Sequence, residues 1–509
     1  MAGIVLTTLN AKYIHAAFGL RYLMGNLAEL RPSACLLEFD INQRPLDIAE
    51  ILLTRDPQII GFGVYIWNVA PTTEVVEIIK RLRPDIRIVL GGPEVSYETE
   101  TQKIVALADF VITGEADLKF AELCRALFIG APPPEKIIAA PLPDLTKLEL
   151  PYALYGPDDI ANRIVYVEAS RGCPFTCEFC LSSLDIPVRQ FALPRLLGEF
   201  EDLLGRGAKQ FKFVDRTFNL NVKVGRAILE FFLARLTPGL FLHFEMIPDR
   251  LPEELREVIR KFPAGTLQFE VGIQTFNEEV GARIKRRQNY DRLEENLKFL
   301  RADTGVHIHA DLIAGLPGES LESFGRGFDR LVALAPQEIQ VGILKRLRGT
   351  PIVRHDTEWA MVYNPNPPYE ILQTSIMDLA TIQRLRRFAR YWDMVGNSGN
   401  FVESSPLIWH GCDSAFHSFL GWVDWLYARV GRTDGVALPR LMEFLFQFLT
   451  VERGLESARV ALSLWRDYQR AGRSDRPVFL KPYLDEIKSN APQRTRNREL
   501  PRRQARHLN

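Results

Sequence analysis

Twice along this chain, short apolar runs of strand length alternate with amphipathic helical segments, and a proline-rich stretch separates the two tracts. In residues 1–130 the runs are Ile4–Thr8, Ala34–Phe39, Ile59–Ile66, Ile86–Leu90 and Phe110–Thr113, with helical spacing at 17–30, 71–83 and 117–128. Such alternation calls for a doubly wound parallel sheet with helices on both faces. Ligands of such sheets sit outside the carboxyl ends of the strands. The loops to inspect are Leu9–Ala16, Val64–Pro71, Gly91–Ser96 and Gly114–Asp117. Residues 131–160 hold Pro132, Pro133, Pro134, Pro141, Pro143, Pro151 and Pro157 and read as a linker that resists helix and central strand. Residues 161–355 offer six more strand candidates: Ile164–Val167, Gln210–Val214, Leu240–Glu245, Leu267–Val271, His307–Leu312 and Glu338–Leu344. Six strand–helix units suit a partial barrel, with reactive groups at the carboxyl strand ends. Residues 360–487 change to helical patterns at Ile371–Trp392, Ser414–Val430, Leu438–Phe448 and Leu455–Ala471. The tail, 488–509, carries six arginines and one glutamate, and is expected to be solvated and disordered.

A length of 509 residues fits about three domains, at roughly 100–200 residues each. Basic and acidic residues balance at 63 each, which argues against a globally basic nucleic-acid binder and against an acidic disordered protein. No apolar run approaches the roughly 18 residues of a membrane span. The first residues lack the basic region and long apolar run of a signal peptide and read as a strand, so a cytoplasmic protein is expected. Six cysteines in a chain of this length do not make a disulfide scaffold.

Three of those cysteines, Cys173, Cys177 and Cys180, have the spacing Cys-x3-Cys-x2-Cys. Thiolates suit soft metals and iron–sulfur clusters. Three ligands on a four-iron cluster leave one iron open to a substrate. Structural zinc would normally bring a fourth ligand, and the nearest candidates, Cys124 and His243, lie far along the chain. Zinc, or simply buried structural cysteines, are the alternatives.

The run Arg171-Gly172-Cys173-Pro174-Phe175-Thr176-Cys177-Glu178-Phe179-Cys180 resembles the signature of the radical S-adenosylmethionine (SAM) enzymes. Phe269-Glu270-Val271-Gly272-Ile273-Gln274-Thr275 and the Gly315-Leu316-Pro317-Gly318-Glu319 turn resemble later segments of that family's core, as does Leu344–Pro351. The family's Gly-Gly-Glu pattern is absent, and Val214-Asp215-Arg216-Thr217-Phe218 stands there, as in cobalamin-dependent members. The resemblance implies a 4Fe–4S cluster on the three cysteines. It also implies a SAM site drawing on Phe179, Asp215, Glu270, Gln274, Gly315 and Pro317.

An α/β domain ahead of such a core resembles a cobalamin-binding domain. Gly91-Gly92-Pro93-Glu94 is similar to the turn that passes the cofactor's nucleotide tail, and Gly114-Glu115 to the turn after the last strand. Tyr65 and Trp67 are candidates to pack under the cobalt face. His15 is a weak candidate cobalt ligand. The mutases' Asp-x-His-x-x-Gly lacks its aspartate here, and the histidine is one residue out of spacing with Gly19. A flavodoxin-like sheet without cofactor is the alternative. A methylthiotransferase would need three amino-terminal cysteines, and only Cys35 and Cys124 are present.

The helical region resembles the domain of unknown function that follows the core in one group of cobalamin-binding radical SAM proteins. Its Trp392, Trp409, Trp422 and Trp425 read chiefly as core, as does Cys412, and a cluster that also includes His410 and His417, capping the barrel mouth against substrate, is the alternative. The resemblance implies an enzyme that methylates an unactivated carbon or phosphorus through methylcobalamin and a 5′-deoxyadenosyl radical. It implies a reducing donor of flavodoxin or ferredoxin type and leaves the substrate open. Cyclisation or ring contraction with the same cofactors is one alternative, and a cobalamin and iron–sulfur sensor is another.

Overall fold

The structure, a computed structural model, describes residues 3–185, 187–470, 472–473, 475–484 and 501–508. The chain divides into two compact units. One comprises residues 1–216, 345–353 and 364–370, and the other residues 217–344, 354–363 and 371–509.

The first unit contains six parallel strands: β1 (Ile4–Asn10), β2 (Ala34–Asp40), β3 (Ile59–Gly63), β4 (Arg87–Gly91), β5 (Phe110–Thr113) and β6 (Ile137–Ala139). Their order is β2-β1-β3-β4-β5-β6. Every residue of β1 is buried, as a strand covered on both faces requires. Successive side chains point to opposite faces. Val5 and Leu9 join one apolar cluster with Phe62 and the helix Val69–Leu82, while Ile4 and Leu6 join another with Val89 and the helix Lys119–Phe128. The strand order reverses between β1 and β3, which is where such sheets open a crevice.

Two parts of this unit depart from the sequence expectation. Helix Pro45–Leu53 was not expected, and it buries Ile48, Ala49 and Leu52. Residues 131–160 are not a linker but belong to the unit. β6 takes three of the six proline-free residues between Pro134 and Pro141, at the edge position of a sheet, which tolerates nearby prolines. Tyr152 and Tyr155 are fully buried, and Pro157 opens a short helix at a first-turn position where proline costs nothing.

Further strands of this unit are β7 (Val165–Val167), β8 (Ser170–Arg171), β9 (Arg189–Gln190) and β10 (Gln210–Phe213). β7 and β10 pair in parallel, whereas β8 and β9 form a two-residue antiparallel pair.

The second unit carries β11 (Phe241–Met246), β12 (Leu267–Gln274), β13 (His307–Ala314) and β14 (Glu338–Ile343), paired in parallel in chain order. These four strands, in the order β14-β13-β12-β11, and the β10-β7 pair of the first unit are the six strands expected for a partial barrel. The helix expected at Ile371–Trp392 begins later. Ile371–Gln373 is a strand, β16, antiparallel to β15 (Val362–Tyr363). Asp378 then caps the helix Leu379–Val395 by accepting from the Thr381 N–H at 2.8 Å.

Helices Ala415–Val430, Leu438–Gln447 and Ser457–Arg470 follow. Trp392 and Trp422 are buried in an aromatic cluster with Phe328, Phe388, Phe416 and Phe419. Of the basic tail, residues 488–500 and 509 lie outside the described residues. Its described end is not disordered: Arg502–His507 is helical. Arg503 pairs with Glu338 at 2.9 Å and Asp393 at 2.6 Å, so acidic partners on the same unit take up its charge. Among the described residues, no helix is long and apolar enough to cross a membrane.

Candidate cofactor cleft and cysteine loop

A cleft of about 270 Å³ opens at the carboxyl ends of β3, β4 and β5. Gly63, Gly91, Gly92 and Gly114 line it. Gly92 has φ of +108°, and a Cβ there would lie 2.5 Å from the Val64 carbonyl oxygen, so only glycine makes this turn. At Gly91 an added Cβ would meet no protein atom nearer than 3.7 Å and would fill cleft space instead. Tyr65 forms part of the wall and stacks on Trp67 with ring centroids 4.5 Å apart.

Of the candidate cobalamin residues, Tyr65, Gly91, Gly92, Gly114 and Glu115 line this cleft. Trp67 is 47% exposed and outside the wall. Pro93 and Glu94 are also outside it. Glu94 is buried and accepts from Arg348 Nε at 2.9 Å and the Tyr369 hydroxyl at 2.7 Å, so it anchors the segment 345–353. His15 does not reach the cleft either, because its Nδ1 lies 2.6 Å from the Tyr166 hydroxyl. Among the wall residues that the sequence did not offer for this cleft are Tyr22, Glu168 and Arg171. The last two directly precede the cysteine motif.

The cysteine loop closes between β8 and β9. The Cys173 N–H donates to the Asp185 carbonyl at 3.0 Å, and the Cys180 N–H to the Cys177 carbonyl at 3.2 Å. Cys173 and Cys177 are buried, Cys180 and Phe179 are half-buried, and none of the cysteines is in a disulfide. Among the described residues, no group of three His, Cys, Asp or Glu side chains is gathered tightly enough for a single metal ion. A four-iron cluster is broader than one ion, and three thiolates on one short closed loop are the donor set it takes.

Asp215, a candidate SAM ligand, accepts from the Ala169 N–H at 2.9 Å and the Ser170 hydroxyl at 2.6 Å. Burial pushes it up to about 6. This carboxylate therefore braces the backbone leading into the cysteine loop.

The remaining SAM candidates lie in the second unit. Glu270 Oε2 is 2.8 Å from His243 Nε2. Gln274 ends β12 after a register shift, with φ of +73°. Such strain in a non-glycine residue costs about 1–3 kcal/mol and clusters at functional sites. Gly315 does not leave room for a ligand: a Cβ there would fall 2.6 Å from Ile371 Cγ2, so the glycine admits a neighbouring side chain. The Pro317 carbonyl accepts from Arg283 at 2.8 Å. Glu319, buried and lifted to about 7 by that burial, accepts from the Thr275 hydroxyl at 2.6 Å.

Among known proteins, three domain families match this chain. Residues 4–124 match the B12 binding domain, residues 167–331 the Radical SAM superfamily, and residues 357–506 a protein family of unknown function, DUF4080. The chain thus carries a B12-binding domain ahead of a Radical SAM domain. It is 29% identical over 308 residues to the uncharacterized methyltransferase PH0819 of Pyrococcus horikoshii, covering 54% of this chain and 64% of the relative. It is 23% identical over 445 residues to the cobalamin-dependent radical SAM methyltransferase TokK of Streptomyces tokunonensis, covering 78% and 62%. Its matches thus span less than two thirds of the length of these curated relatives. It shares the fold of the cobalamin-dependent SAM radical enzyme OxsB, solved with aqua-cobalamin and SAM. That likeness has a TM-score of 0.61 at 12% identity and covers 95% of this chain and 84% of OxsB.

Proposed function

We propose that this chain is a cobalamin-dependent radical SAM enzyme that methylates an unactivated carbon or phosphorus centre. The carrying observation is that Glu168 and Arg171, which lead into the cysteine loop, also form wall of the glycine-floored cleft. One compact unit thus sets a cleft suited to cobalamin beside a loop suited to the cluster. When bound, the cluster with SAM supplies a hydrogen-abstracting radical, and cobalamin supplies a transferable methyl group.

The chain's own part is positioning and exclusion of water. Cys173, Cys177 and Cys180 hold the cluster. Asp215 fixes the backbone before them through Ala169 and Ser170. Gly91, Gly92 and Gly114 give a large ligand close access to the backbone, with the Tyr65 ring as a wall. Phe179, within the cysteine loop, is the SAM contact proposed for this unit, and a flavodoxin or ferredoxin is the proposed class of electron donor. Similarity to the methyltransferases PH0819 and TokK supports methyl transfer.

The test is anaerobic. The protein is reconstituted with iron, sulfide and cobalamin, then given dithionite and methyl-deuterated SAM. Both 5′-deoxyadenosine and S-adenosylhomocysteine are expected, with the label on protein-bound cobalamin. Deoxyadenosine alone would instead favour radical chemistry without methyl transfer. Neither product from fully loaded protein would overturn the enzyme reading in favour of a sensor.

A further inference from the structure

Both ends of the cysteine loop are gripped by one carboxylate of the B12-binding domain. The strand pair that closes the loop sets Arg171 opposite Arg189. Arg171 Nη1 lies 2.7 Å from Glu115 Oε2, and Arg189 donates to both oxygens of the same carboxylate. Arg171 also holds Asp117, at 2.9 and 3.1 Å, and Glu168, at 3.0 Å. Its guanidinium rests 4.5 Å from the centre of the Tyr22 ring. Arg189 reaches on to Asp185 at 3.0 Å, the residue whose carbonyl receives the Cys173 N–H.

Glu115, Asp117, Glu168, Arg171 and Tyr22 all line the cleft. The side chains of Glu115, Asp117 and Arg171 are no more than 19% exposed, so solvent and salt screen these pairs little. Removing or moving one partner then strands a buried charge. A ligand entering the cleft meets the carboxylates that set the two loop ends.

We propose that Arg171 and Arg189 are positioning residues that couple occupancy of the cleft to the geometry of the cysteine loop. The proposal rests on reading the cleft as the cobalamin site and the loop as the cluster site. Such coupling is reciprocal: the cluster must alter cobalamin affinity by the factor with which cobalamin alters the cluster.

The experiment uses the full-length protein, with its cluster reconstituted or removed by chelation, titrated with hydroxocobalamin and followed by absorbance. Dissociation constants for the two states should differ by about fivefold or more, the lower end of measured couplings. Cobalamin should also shift the g values of the reduced cluster. Arg189 stands outside the cleft wall, so Arg189→Gln should keep cobalamin binding and cluster content while losing both the affinity difference and the spectral shift. Arg189→Lys, which keeps the charge, should restore part of each.

Equal dissociation constants in the parent protein would overturn the proposal, and this comparison stands even if no variant folds. Retention of the full difference in Arg189→Gln would overturn it as well. No cobalamin binding in either state would remove the functional reading itself, and the coupling with it.

Discussion

Cys173, Cys177 and Cys180 share a loop whose shape is set by neighbours with other chemistry, notably Asp215 behind it and Arg189 at its far end. Replacing any one cysteine with alanine should abolish cluster assembly, read as iron content and visible absorption, while the glycine-floored cleft still binds cobalamin. His309 makes a different prediction. Burial works to lower its pKa, but Asp311 at 3.3 Å, with Glu338 and Glu270, outweighs it and raises the imidazole from 6.5 to about 9. The folded state therefore holds a proton that the unfolded chain releases near 6.5. The resulting stabilisation is full below 6.5 and disappears as pH rises through 9, a change on the order of 3 kcal/mol at 1.36 kcal/mol per pH unit. Urea denaturation midpoints between pH 6 and 10 should fall accordingly in the parent and stay flatter in His309→Gln.

Strands were the most legible elements. Eleven runs read from the sequence coincide with β1–β5, β7 and β10–β14; burial is continuous along β1 and β3, whose two faces are both covered, and alternates along β10 and β13. β6 was hidden among prolines, since an edge strand of three residues leaves almost no pattern. The helix placed at Ile371 was misread because Ile371 and Leu372 continue an apolar spacing, while the start is set by the Asp378 side chain. Glycine motifs were visible but their purposes were not: Gly91 opens onto a cleft, and Gly315 makes room for Ile371. Segment 345–353 has its own test. Arg348→Ala would leave Glu94, 3% exposed, without its guanidinium, and should destabilise the protein by about 3–5 kcal/mol in chemical denaturation. Glu94→Gln removes the buried charge together with the pair and should cost less.

At the scale of the molecule, the compact units do not follow the proline-rich stretch that the sequence offered as a boundary. The B12-binding sheet, that stretch and the cysteine loop form one unit, while β11–β14 and the carboxyl-terminal helices form the other. This arrangement explains which site residues were legible. Cysteines and glycine turns announce themselves locally. Tyr22, Glu168 and Arg171 acquire meaning only when packing brings the residues before Cys173 to the carboxyl ends of a sheet formed far earlier in the chain.

The most direct measurement is pulsed electron paramagnetic resonance on full-length protein loaded with cobalamin in its paramagnetic Co(II) state and with the reduced cluster. A dipolar interaction between the two spins is expected, because cleft and cysteine loop share Glu168 and Arg171. Two fully loaded centres showing no interaction would contradict the joint site.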